Sequence, residues 1–96
     1  MGVINNTTVL TMVKTDLGIM QSTAYDARLT QYIEAGEAYT KEQGVTLTDS
    51  VGDMEIAAMY AVWLWNKRKT GEGMPRMLRY ALNNRIFAAK SEVTDG

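Results

Sequence analysis

Few residues in this chain could carry chemistry. It has no histidine and no cysteine, which removes the usual nucleophile–base pairs, zinc sites and haem ligands. Carboxylates, lysines and tyrosines remain. The densest carboxylate group is Asp49, Asp53 and Glu55, and neighbouring carboxylates can do acid–base work. Their position argues for a plainer role. They open an apolar run, where acids complement the positive end of a helix dipole. Gly71-Glu72-Gly73 is no phosphate loop, because it lacks both a preceding strand and the Gly-Lys-Ser/Thr ending. Lys67, Arg68, Lys69, Arg76 and Arg79 form the one basic cluster that could touch phosphates. Nothing around them has the base-reading spacing of a recognition helix. The sequence therefore points to no catalytic residue, no metal ligand and no cofactor.

The elements that position these residues are helical. Ile56 to Trp65 reads Ile-Ala-Ala-Met-Tyr-Ala-Val-Trp-Leu-Trp, without a charge or an amide. Acids precede it and Lys67, Arg68 and Lys69 follow, the order that suits a helix dipole. The run is too short for a bilayer, which takes about 20 apolar residues. A helix that is apolar on every face is a buried one, so 50–69 is expected to be the central helix. Trp63 and Trp65 should lie on different faces and meet different neighbours.

Three further helices are expected around it. Thr7 or Thr8 caps the first, at 8–17, with Val9, Leu10, Val13 and Leu17 on one face and Gly18 ending it. The second, at 23–43, opens on Thr23-Ala-Tyr-Asp26, a capping-box pattern, and carries Tyr25, Leu29, Tyr32, Ile33, Gly36 and Tyr39 at steps of three and four. Gly36 on that stripe costs about 1 kcal/mol against alanine; close approach of the central helix would compensate. Thr48, Asp49 or Ser50 caps the central helix. After Gly71 and Gly73, Pro75 fits the first turn of a fourth helix at 75–82. Asn83-Asn84 reads as a turn. Arg85 to Lys90 then either resumes the helix or forms a C-terminal arm. Residues 1–6 and 91–96 are expected to be flexible. The fold class is all-α: one domain over 1–96, a small bundle around the central helix. Its core is Leu29, Ile33, Ile56, Met59, Tyr60, Trp63 and Leu64.

Charge is polarised along the chain. Residues 1–66 hold three basic and eight acidic side chains, whereas 67–90 hold seven basic ones against Glu72. Such a subunit suits head-to-tail association or an acidic partner. Seven methionines add adaptable surface, since Met recurs at binding faces. The start, Met-Gly-Val-Ile-Asn-Asn, has neither the basic region nor the apolar stretch of a signal peptide. A soluble, cytoplasmically made protein is expected.

The order of features is informative as a whole. A capped amphipathic helix precedes the central helix with Ala57-Ala58-Met59-Tyr60-Ala61 and Asn66-Lys67-Arg68. A Gly-rich loop, Met74-Pro75-Arg76-Met77-Leu78-Arg79 and Asn84-Arg85 follow. Over about residues 7–87 this resembles the small head–tail connector (adaptor) proteins of long-tailed bacteriophages and prophages. The resemblance implies an all-α virion protein, made in the bacterial host cytoplasm, that assembles as a homo-oligomeric ring. The ring would join the portal protein to a tail-side completion protein and continue the channel through which DNA passes. It implies no enzymatic activity, cofactor or membrane contact. Glu34 and Glu37 are expected to face the channel. Arg76, Arg79, Arg85, Ile86 and Phe87 are expected at the subunit or portal interface, with Arg79 and Arg85 pairing with acids across it. The alternative is a small helical DNA-binding or regulatory domain using the basic 67–79 region.

Overall fold

The computed structural model of the chain describes residues 4–94, with side chains to Ser91. Its elements are α1 (Asn6–Leu17), α2 (Asp26–Glu42), α3 (Val51–Thr70) and α4 (Arg76–Thr94), with no strand among the described residues. The all-α bundle is as expected, and α3 is the helix that touches all three others. The molecule measures 46 × 29 × 18 Å. Its short dimension is under two helix diameters of about 10–12 Å, so the bundle is two layers deep at most.

Local chemistry sets the helix ends. Asn5 caps α1: its Oδ1 accepts from the Thr8 N–H at 3.1 Å, so the helix starts ahead of the threonines expected to cap it. Gly18 ends α1 at φ 72°, giving its N–H to the Lys14 and Thr15 carbonyls. The capping box at Thr23 does not form. Ser22 Oγ takes the Ala24 N–H at 3.1 Å, a local turn that competes with helix. Asp26 instead faces Lys14, with Nζ–Oδ1 at 2.9 Å, and α2 begins only there, so Tyr25 precedes it. Ser50 caps α3 by accepting from the Asp53 N–H at 3.2 Å. Gly71, at φ 68°, closes the far end.

Residues α1 to α3 share the core with the inner side of α4. Val9, Val13, Leu29, Ile33, Ile56, Leu78 and Leu82 are buried in one cluster with Ala57, Ala58 and Ala61. The three alanines keep α3 thin where neighbours cross it. Gly36 serves the same purpose from α2: a Cβ there would lie 3.0 Å from Tyr60 Cβ and Cγ. The expected core is right for Leu29, Ile33 and Ile56, while Met59, Tyr60 and Trp63 are half-buried against it. Leu64 is a correction: it is only part-buried and stands outside the cluster. Leu64 lies on the side of Ala57 and Ala61 but toward the C-terminal end of α3, where it is only partly covered.

Trp63 and Trp65 do meet different neighbours. Trp65 meets Tyr25 edge-on, with ring centroids 5.0 Å apart, and lies under the Arg68 guanidinium at 4.1 Å. Trp63 meets Tyr60 at 5.3 Å and gives its indole N–H to the Glu72 carbonyl at 3.2 Å.

The larger correction concerns the C-terminal arm. Neither a turn at Asn83-Asn84 nor an arm exists; α4 runs unbroken through both asparagines. Leu78 and Leu82 are buried, and Ile86 and Ala89 pack part-buried on the same core. Steps of four, four and three make one continuous helical stripe. Asn merely tolerates a left-handed turn, and burial of the stripe overrides that tolerance. Ser91 to Thr94 continue α4 as helix. Met1 to Val3, Asp95 and Gly96 lie outside the described residues.

Candidate functional site

The acids that could do chemistry resolve first. Asp53 is 3 % exposed and fully committed. Its Oδ2 accepts from the Thr48 N–H at 2.8 Å and the Thr48 hydroxyl at 2.9 Å. Its Oδ1 accepts from Arg85 Nε at 2.7 Å. Burial pushes the carboxyl pKa up, but the Arg85 and Thr48 hydrogen bonds, with the Arg85 charge, outweigh it and hold the group below its ordinary value. Asp53 thus acts as a hook: it fixes the loop before α3 and ties α4 to α3. Asp49 and Glu55 are exposed. Among the described residues no cluster of acids could hold a metal ion, and no helix is long and apolar enough to cross a membrane.

The expected interface residues separate. Arg85 bonds to Asp53 of its own chain, a correction to the expectation that it pairs across a subunit contact. Ile86 packs part-buried on its own core, so it too belongs to the monomer. Phe87 is 73 % exposed, so its own subunit does not cover it. Arg76 and Arg79 are exposed and form no ion pair among the described residues.

The side of α4 turned away from the core gathers what remains. Met77, Tyr80 and Phe87 are three of the large apolar side chains left in water. Tyr80 and Phe87 are seven residues apart, so they stand on one line of the helix. Arg76, a turn before Tyr80, shares that line, and Arg79 and Lys90 flank it. From Arg76 to Ser91 there is no acid at all. Neither Met77 nor Tyr80 was expected at an interface. A search for a second periodicity, opposite the buried 78, 82, 86 stripe, would have found them.

Glu34 and Glu37 are elsewhere, on α2. They line a shallow groove with Ile4, Lys41, Thr46 and Leu47. Glu34 is exposed and Glu37 is half-buried. Burial first, then repulsion from Glu34, raises the Glu37 pKa above its ordinary value, with Asn6 pulling weakly the other way. The basic cluster is also divided. Lys67 Nζ lies 5.0 Å from the Trp63 ring centre and Arg68 covers Trp65, so these two charges rest on indoles at the end of α3.

An open groove lies between α1 and α3. It holds about 510 Å³ and is lined by Thr7, Thr8, Thr11, Thr15, Met12, Ala58 and Met59, with Asp16 and Glu55 as its only charges. A second hollow of about 150 Å³ continues it, sharing Asp16 and Met59 and reaching Trp63, Glu72 and Met77. Comparisons with family models, with curated proteins and with solved structures give no match to this chain.

Proposed function

We propose that this chain is the subunit of a ring-forming head–tail connector of a phage or prophage particle. It joins the portal to a tail-side completion protein and continues the DNA exit channel. The observation that carries this reading is the outward side of α4. A helix already anchored by Leu78, Leu82 and the Asp53–Arg85 pair still exposes Met77, Tyr80 and Phe87. A monomer gains nothing by wetting three such side chains, whereas an assembling subunit buries them. The order of sequence features supports the same reading. In it, Glu34 and Glu37 face the channel, where acidic walls keep DNA from sticking.

The alternative, a DNA-binding domain using 67–79, has less support. Two of its five basic residues rest on tryptophan rings. Light scattering and negative-stain imaging of the purified protein test the proposal. Rings are expected. A monomer that shifts duplex DNA with steep salt dependence would establish the alternative instead.

A further inference from the structure

Several charges in this molecule are set against their own helices, Arg28 and Glu42 of α2 among them, and two of the others stand on facing chemistry. Arg76 is the first residue of α4 and Asp16 stands in the last turn of α1. A cation at a helix N-terminus and an anion at a C-terminus both oppose the dipole. Neither has an ion-pair partner among the described residues, and Arg76 is exposed like Asp16. Stability of the single chain does not account for either. Each, however, sits on a feature that the other complements. Asp16 lies on the rim of the α1–α3 groove, and Arg76 heads the exposed line of Tyr80 and Phe87.

We infer that the outward side of α4 docks in the α1–α3 groove of a second copy of this chain. The inference rests on the ring reading above and names its contact. Charge decides the occupant. The groove carries Asp16 and Glu55 and no base, and the α4 line carries bases and no acid. Two α4 faces packed on each other would oppose arginine to arginine, so self-pairing is disfavoured. Size agrees with charge. Tyr80 to Phe87 spans two turns, roughly 10 Å at 1.5 Å per residue. The α1 wall from Thr8 to Thr15 spans the same seven residues. A cavity of about 510 Å³ falls within the roughly 300–1,000 Å³ of pockets that bury small ligands, ample for two aromatic side chains. The wall is also less polar than its threonines suggest. The Thr11 and Thr15 hydroxyls donate to the Thr7 and Thr11 carbonyls at 3.2 and 2.8 Å. The Tyr80–Phe87 line and the groove are different patches that adjoin at Met77. Under the ring reading each subunit gives its stripe to one neighbour and its groove to the other, a heterologous contact that propagates until rotation closes it.

Charge reversal tests the contact without unfolding the subunit. Arg76→Glu and Asp16→Lys each improve their own helix dipole, so neither should lower the melting temperature at concentrations where the wild type is dissociated. Each alone is expected to reduce the assembled species at least tenfold by light scattering, and the double reversal in one chain to restore it. The chain has no cysteine, so Tyr80→Cys and Thr11→Cys chains can be mixed and joined with a short bismaleimide. An 80-to-11 cross-link between copies is expected. Single reversals that assemble like the wild type, or an 80-to-80 cross-link alone, overturn the contact; rings still visible by microscopy then leave the connector reading standing. A persistent 80-to-11 cross-link in open filaments keeps the contact and removes the ring. A wild-type chain that stays single at every concentration, with no cross-link, overturns the contact.

Discussion

Helices α2 and α4 are of similar length, 17 and 19 residues, and each lays one side on the core. Their outer sides differ. On α2 the exposed positions are Ala27, Arg28, Gln31, Glu34, Ala35, Ala38, Lys41 and Glu42, small or polar throughout. On α4 they include Met77, Tyr80 and Phe87. The difference is one of exposed apolar area. An outer side that only meets water needs solubility, and α2 supplies it. The outer side of α4 breaks the amphipathic rule where nothing in its own subunit requires it, as functional surfaces do.

The inner sides should behave alike, and the largest expected effect checks this. Ile33→Ala on α2 removes a fully buried side chain and should cost about 4 kcal/mol, within the range for Ile or Leu to Ala. Leu82→Ala on α4, 3 % exposed, should cost about 3 kcal/mol in denaturant melts. A Leu82→Ala loss under 1 kcal/mol would mean that α4 is not docked on the core as described.

The next effect separates the helices, because the carboxylate that ties α4 down is buried, Asp53 at 5 % side-chain exposure, whereas Asp26 in the Lys14 pair of α2 is 34 % exposed. Asp53→Ala removes the carboxylate that Arg85 and Thr48 share. Breaking a buried pair costs about 3–5 kcal/mol; the Arg85 side chain is a quarter exposed, so about 3 kcal/mol is expected. The same pair gives a pH signature. The Asp53 pKa is lower folded than its ordinary 3.8. Its stabilisation is therefore complete above 3.8 and is lost as pH falls through the folded value. Glu37 has the opposite sign. Its raised pKa means that the charged form is disfavoured in the fold, so its burden is relieved as pH falls through the folded value. Wild type should lose stability between pH 4 and pH 2, roughly the ordinary carboxylate range and below, more steeply than Asp53→Ala. Parallel curves would show that the pair does not carry this slope.

These residues also show what a sequence does and does not disclose. Helix α3 was legible because its signals are local: Ser50 before it, Gly71 after it and an apolar run between. The close approach at Gly36 was legible as a glycine out of place on an apolar stripe. The Asp53–Arg85 pair joins residues 32 apart, and no spacing rule couples them. The unbroken course of α4 was obscured by Asn83-Asn84, a local turn signal that a longer 78, 82, 86, 89 stripe outvotes. The interface candidates were half right for the same reason. Taking 85–87 as one arm merged residues that a helix turns to opposite sides: Arg85 and Ile86 inward, Phe87 outward.

A smaller effect is expected where α2 and α3 touch. Gly36→Ala gains about 1 kcal/mol of helix propensity. Its new Cβ would lie 3.0 Å from Tyr60 Cβ and Cγ, atoms close to the backbone that have little room to move. Overpacking costs about 1–3 kcal/mol, so a net loss of about 1 kcal/mol is expected. A stabilised Gly36→Ala would show that the two helices can part without cost.

The smallest expected effect bears most directly on the comparison. Phe87 is 73 % exposed, so Phe87→Ser removes little buried area from the single chain. Surface substitutions of this kind usually stay within about 0.5 kcal/mol, and serine and phenylalanine have similar helix propensity. The monomer should therefore melt almost as the wild type does. Ala35 on the outer side of α2 is the control, since Ala35→Ser should be equally silent. The two must then diverge with protein concentration. If α4 is an assembly surface, the wild type melts higher as concentration rises, because association stabilises the folded state by mass action. Phe87→Ser loses that dependence and Ala35→Ser keeps it. Should both variants keep it, the outer sides of α2 and α4 are equivalent, and the exposed aromatic side chains of α4 need another explanation.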